Sequence, residues 1–361
     1  YQEKYEEEYE IHCHFLLMCA GYYDFEKGYT PDYPGFSHYQ GQFIHPQHWD
    51  PTADYSGKNV VVIGSGATAI SLVPELAKKA KKVVMLQRSP SYILSLPSID
   101  PLSEFLKRRL PEKMAYRTIR QKNIFLASAF YKFCRRFPGL SRKLLLRRVQ
   151  RVFGKEVHSM KHFSPNYDPW LQRLCIIPDG DLFKSIRSGK VEVVTDSIKH
   201  FVSSGISLTS GRSLEADLIV SATGLQLKFL GGIRLKVNGQ SVSFADVIPY
   251  KGAMLSGVPN FGMAFGYTNA SWTLKCDLTS EWLAKLLNHM KSKNFTTVTP
   301  HANPAIERMP LVDFSSGYFQ RSKKDLPLQG SESPWKMHQN YLLDWIDLKM
   351  KPIADQGLDF C

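Results

Sequence analysis

Lys58-Asn-Val-Val-Val-Ile-Gly64-Ser65-Gly66-Ala67-Thr68-Ala69 is the stretch on which the fold turns. An apolar, β-branched run from Val60 to Ile63 meets a glycine turn, and a helical pattern follows from Ile70 to about Lys79. The turn has the G-x-G-x-x-A form of a dinucleotide fingerprint. Gly64 permits the tight bend, Gly66 lets a pyrophosphate approach the backbone, and the small Ala69 lets helix and strand pack closely. The helix N-terminus offers free N–H groups to the anion, which makes Ser65, Ala67 and Thr68 candidate cofactor-binding residues beside the glycines. The next strand, Lys82-Val-Val-Met-Leu-Gln87, ends in Gln87-Arg88-Ser89 where an NAD site would carry Asp or Glu for the ribose 2′-hydroxyl. An arginine fork at Arg88 suits a 2′-phosphate, so the pattern predicts NADPH over NADH. A solvated arginine at a strand end is the alternative.

Composition sets the bounds. With 361 residues, 43% of them hydrophobic and 22% charged, the chain suits a globular protein of about two domains. No apolar run is long enough to span a bilayer. The start, Tyr1-Gln-Glu-Lys-Tyr, lacks Met and a signal-peptide core, which reads as a fragment of a cytoplasmic protein. Six cysteines are scattered without C-x-x-C or zinc spacing, so neither a structural metal nor a flavin disulfide reductase is expected. The net charge of +13 is concentrated between Pro101 and His162, where seventeen Lys or Arg face three acids. That segment also shows helical spacing of Phe105, Leu106, Leu110, Met114, Ile119, Ile124, Phe125, Phe130 and Phe133. Two readings stay open: a helical insertion packing on the core, or a peripheral contact with an anionic membrane. No nucleic-acid motif accompanies the basic charge.

Two apolar runs ending in glycine, Ile11 to Gly21 and Leu214 to Gly224, resemble each other and bracket the glycine turn. The second ends in Ala222-Thr223-Gly224. The expected organisation is a partial FAD domain and linker at 1–44, an NADPH domain at 45–222 with its insertion at about 101–162, and the rest of the FAD domain at 223–361. The alternation of strands at 58–64, 82–87, 191–194 and 214–222 with helices at 66–80 and 179–188 predicts an α/β class with a mostly parallel sheet. Residues 196–209 read as short antiparallel strands. Further on, Gly262-Met-Ala-Phe-Gly266-Tyr-Thr-Asn269 precedes an amphipathic helix capped by Asn269 or Ser271. Its glycines would let a flat ring approach, and its N-terminus would favour negative charge on a reduced flavin.

Ahead of the glycine turn stands Tyr39-x-Gly41-x-x-x-His45-x-x-x-Trp49-Asp50. It resembles the F-x-G-x-x-x-H-x-x-x-W-P/D fingerprint of Baeyer–Villiger-type flavin monooxygenases, with Tyr in place of Phe. His162 to Cys175, Gly266 to Trp272, and Pro334-Trp335 with Gln339-Asn340-Tyr341 are similar to the ethionamide-activating subgroup. The resemblance implies two dinucleotide-binding domains, FAD and NADPH as cofactors, and O₂ as co-substrate. One oxygen atom would enter a ketone, thioether or thioamide by way of a C4a-peroxyflavin. Arg173 would stabilise the oxyanions of that reaction, while His45, with Gly41 and Trp49, would act in the linker that sets domain orientation. Thr223, Gly224, Asn269 and Ser271 would lie by the cofactors. The first FAD fingerprint of the family, G-x-G-x-x-G, is absent from the chain. Two alternatives therefore accompany this reading: a non-catalytic NADP-binding remnant, and a nitrogen- or sulfur-oxygenating flavin monooxygenase that forms no esters.

Overall fold

A computed structural model describes residues 9–153, 160–172, 174–311, 317–322 and 326–361. The described residues form two compact units. The first comprises 23–227 with the return segment 317–322. The second comprises those within 1–22, 228–313 and 323–361.

The first unit is built on a five-stranded, wholly parallel sheet. Its order is Gln42–Ile44, Leu218–Ser221, Asn59–Ile63, Lys82–Gln87 and Val191–Thr195. Central strands of such a sheet are covered on both faces and so read as continuous apolar runs. Val60, Val61 and Val62 follow that rule and are all buried. Each contributes roughly 1.5–3 kcal/mol relative to an exposed side chain. The helix Ala67–Leu76 packs Ile70, Val73 and Leu76 against one face, while Phe201, Ile206 and Leu214 cover the other.

The last expected strand, 214–222, is in fact two. Ser213–Glu215 joins an antiparallel sheet with Gly205–Leu208 and Ile198–Val202, and Leu218–Ser221 enters the parallel sheet. The corner is held at Asp217, whose carboxylate accepts the Asn59 N–H at 2.8 Å and whose backbone pairs with Asn59 and Gln42. The boundaries also differ from 45–222. Tyr23–Gly28 pairs antiparallel with Leu225–Leu227, which draws both segments into the first unit.

The insertion is three helices, Pro101–Arg109, Glu112–Arg136 and Pro138–Phe153. Its apolar residues divide: Leu106, Ile119, Ile124, Phe130 and Phe133 are half-buried, whereas Phe105, Met114 and Phe125 are exposed. Among the described residues, no helix is long and apolar enough to cross a membrane, and no cluster of His, Cys, Asp or Glu could hold a metal ion.

In the second unit, Leu16–Met18 runs parallel to Phe261–Met263, which continues antiparallel into Met254–Leu255 and Pro249–Tyr250. The helix Trp272–Lys293 buries Leu278, Trp282, Leu283 and Leu286 in this unit's core. Beside that core, Lys275 Nζ meets Asp344 Oδ1 at 2.9 Å and donates to Lys251 O, and Tyr267 Oη donates to Asp344 Oδ2 at 2.6 Å. Burial lowers the Lys275 pKa against the opposing pull of Asp344.

Candidate dinucleotide site

The glycine turn opens onto a cavity of about 730 Å³ lying wholly within the first unit. Gly64, at φ 138°, lies where a Cβ would come within 2.3 Å of Ala222 O, so the strand end at Ala222 allows only glycine there. A Cβ on Gly66 would meet nothing within 4 Å, which leaves its backbone open to a ligand. Gly66 also precedes the helix Ala67–Leu76, whose first turn has no side-chain cap and no acid. An anion can therefore take the amide groups that a cap would otherwise satisfy. Ser65 Oγ bonds Ser89 O and Ser91 Oγ, each at 3.0 Å, tying the turn to the end of the next strand.

At that strand end Gln87 and Arg88 part company. The Gln87 side chain is buried and donates to His162 O at 2.7 Å and Thr195 Oγ1 at 2.9 Å, while Arg88 lines the cavity. Among the described residues, Arg88 forms no ion pair. Opposite the turn, Thr223 donates to Tyr29 O at 2.7 Å and accepts from Ser221 Oγ at 2.9 Å, and Gly224 O receives Tyr29 N–H. Tyr33 faces the same two hydroxyls, and burial pushes its phenol up to about 12.

Of the expected cofactor residues, Gly64, Ser65, Gly66, Ala67, Thr68, Arg88, Thr223 and Gly224 line the cavity. Ala69 is fully buried between helix and sheet. Asn269 and Ser271 belong to the second unit. Ser271 occupies the N-cap position of Trp272–Lys293, but its hydroxyl bonds Thr273 Oγ1 and makes no cap bond. The flat ring seated on Gly266 is the chain's own: a Cβ there would lie 2.2 Å from the Trp272 indole. Arg173 lies outside the described residues.

The linker pattern is held together by close contacts. A Cβ on Gly41 would strike Tyr39 Oη at 2.2 Å, and the Tyr39 hydroxyl donates to Ala216 O at 3.0 Å. Trp49 packs edge-on to Tyr55, and Asp50 Oδ1 accepts from Thr52 N and Oγ1. His45 Nδ1 accepts Gln47 N–H at 3.2 Å, so its proton sits on Nε2, which donates to Gly224 O at 3.2 Å. Burial holds the His45 pKa below the usual histidine value.

Sequence reading missed Arg321. This residue of the short helix Gly317–Arg321 lines the cavity and stacks its guanidinium on the Tyr29 ring, 3.4 Å from the centroid. Burial lowers its pKa. No local motif marks a residue that lies 292 positions from its partner.

The flavin-binding monooxygenase-like family model matches residues 3–253. The chain belongs to that family. Among relatives of this flavin monooxygenase, the FAD-containing monooxygenase EthA of Mycobacterium tuberculosis (strain ATCC 25618 / H37Rv) is 49% identical over 350 residues, 96% of this chain and 72% of the relative. EthA of Mycolicibacterium smegmatis is 47% identical over 98% of this chain and 72% of its own length. The structure of an oxidised steroid monooxygenase bound to NADP superposes with a TM-score of 0.72 at 17% identity, over 96% of this chain and 75% of that one. At that identity the likeness concerns the fold, and it places this monooxygenase in the α/β class of Baeyer–Villiger-type structures.

Proposed function

We propose that the first unit of this Baeyer–Villiger-type monooxygenase is its NADPH domain and that the second belongs to its FAD domain. The observation that carries the nucleotide preference is the divergence of Gln87 and Arg88. The side chain at the usual carboxylate position is buried in hydrogen bonds to His162 and Thr195, and the next residue offers a guanidinium to the cavity. A 2′-phosphate would thus meet a permanent positive charge at the position where NAD sites present a carboxylate. The open backbone at Gly66 and the uncapped helix start fit a pyrophosphate.

For FAD, the fitting feature is Asn269. Its Nδ2 donates to Gln339 O, while its Oδ1 is buried with no donor among the described residues, which suits the imide N–H of a flavin's pyrimidine ring. When bound, NADPH supplies a hydride and FAD the means of activating O₂. Ketones, thioethers and thioamides are the proposed substrate classes, and the resemblance of His162 to Cys175 and Gly266 to Trp272 to the ethionamide-activating subgroup supports them. Arg173 is proposed to stabilise the developing oxyanion, a role suited to a guanidinium that stays charged at every working pH. His45 is proposed to set the conformation of the linker, since backbone groups engage both ring nitrogens.

The test is a binding titration of NADP⁺ and NAD⁺ followed by tryptophan fluorescence. Arg88→Gln is expected to weaken NADP⁺ binding by about tenfold to a hundredfold, the worth of a hydrogen bond to a charged group, and to leave NAD⁺ unchanged. Equal effects on both nucleotides, or none, would remove Arg88 from phosphate recognition. Since the cavity lies in one unit, an NADP-binding protein without catalysis is the second reading. Flavin absorbance of the purified protein separates the two.

A further inference from the structure

The three helices of the insertion carry fifteen Lys or Arg and two acids, Glu104 and Glu112. An amphipathic helix that packs on a core would bury its apolar stripe. Glu112–Arg136 has 25 residues and buries only Ala115 and Cys134. Phe125 remains 71% exposed, and Met114, three helical turns earlier on the same face, is 55% exposed. On Pro138–Phe153, Leu140 and Leu144 form an exposed stripe that Arg147 and Arg151 continue at helical spacing. Two exposed rings carry cations: the Arg109 guanidinium lies 5.6 Å from the Phe105 ring centre and that of Arg136 lies 5.4 Å from the Phe137 ring.

The mixture of exposed phenylalanine and leucine with an almost unopposed positive charge narrows the choice of partner. A nucleic acid would satisfy the cations but has no place for the aliphatic stripe. A second copy of this face would cover the apolar groups but would bring its own positive charge against an equal one. A surface offering both phosphates and a shallow apolar layer satisfies both sets. Because no described helix is apolar enough to cross a membrane, the contact would lie along the surface.

We propose that the insertion docks peripherally on an anionic phospholipid bilayer. Phe125, Leu140 and Leu144 enter the boundary between headgroups and acyl chains, and the neighbouring arginines and lysines hold lipid phosphates.

The chain is sedimented with vesicles of phosphatidylglycerol mixed into phosphatidylcholine and, separately, with phosphatidylcholine alone. Binding to the anionic vesicles is expected to be at least about tenfold tighter, and to weaken strongly at about 1 M salt, where screening acts over about 3 Å. Two double variants divide the contributions: Phe125→Ser with Leu144→Ser removes apolar contacts, and Arg135→Glu with Arg136→Glu reverses local charge. All four side chains are exposed, so the urea midpoint of each variant checks its folding. Each is expected to lose most of the pelleted fraction. Equal pelleting with both vesicle types, or full retention by either folded variant, overturns the proposal. So does duplex DNA retention without vesicle binding. A dimer abolished by the serine variant, without vesicle binding, would assign the face to a second copy and reject the membrane.

Discussion

His45 shows how a single side chain can join three separated backbone segments. Its Nδ1 takes the Gln47 amide, its Nε2 reaches Gly224, and its ring lies where a side chain on residue 28 would otherwise stand. A Cβ on Gly28 would come within 1.9 Å of His45 Cε1. Gly28→Ala must therefore push the ring away from Gly224, at an expected cost of about 1–3 kcal/mol in stability, as for other overpacked sites. Urea denaturation measures it, and an unchanged midpoint would show that the ring has free room to move. The histidine, glycine and aromatic types of the linker were legible in the sequence. Its contacts with Gly28 and Gly224 were not, since spacing along a chain carries no record of which distant backbone a ring will meet.

At the scale of the element, the helix Trp272–Lys293 combines an apolar face with one buried cation. Its amphipathic pattern was readable because Leu278, Trp282 and Leu286 recur at helical spacing. Lys275 lies among them and is buried, held by Asp344 and the Lys251 carbonyl. Removing one member of a buried pair leaves an uncompensated charge, which outweighs the loss of the attraction itself. Lys275→Met is expected to destabilise the protein by about 3–5 kcal/mol, and adding Asp344→Leu should recover much of that loss. Chemical denaturation of the single and double variants decides it. A double variant no more stable than the single one would show that Asp344 does not depend on Lys275.

At the scale of the whole molecule, acid sensitivity should come from half-buried imidazoles. His45 and His162 are both kept below the ordinary value of 6.5, first of all by burial, with His48 near the former and Lys161 and Glu192 near the latter. Since the unfolded chain binds these protons more readily, the stabilisation is full above pH 6.5 and is lost as pH falls through the lower folded-state values. Asp100, drawn down to about 2 by Lys122 and Ser103, is already ionised across that window. The urea midpoint is therefore expected to fall between pH 6.5 and about pH 5, and to fall less in His45→Gln. A flat midpoint over this range would remove both histidines as the source.

What the sequence determined by itself was local and periodic. The β-branched run before Gly64, the glycine turn and the helix after it specify a dinucleotide unit because backbone conformation and burial pattern are set within a few residues. The same local evidence marked Arg88 and the linker pattern. Tertiary structure alone decided that residues 214–222 divide between two sheets at Asp217, that Gln87 turns inward while Arg88 faces the cavity, and that Arg321 reaches Tyr29. Tertiary structure also left Phe125 and Leu144 exposed despite their helical spacing. Periodicity says which residues share a face, but whether anything packs against that face depends on elements brought there by the fold.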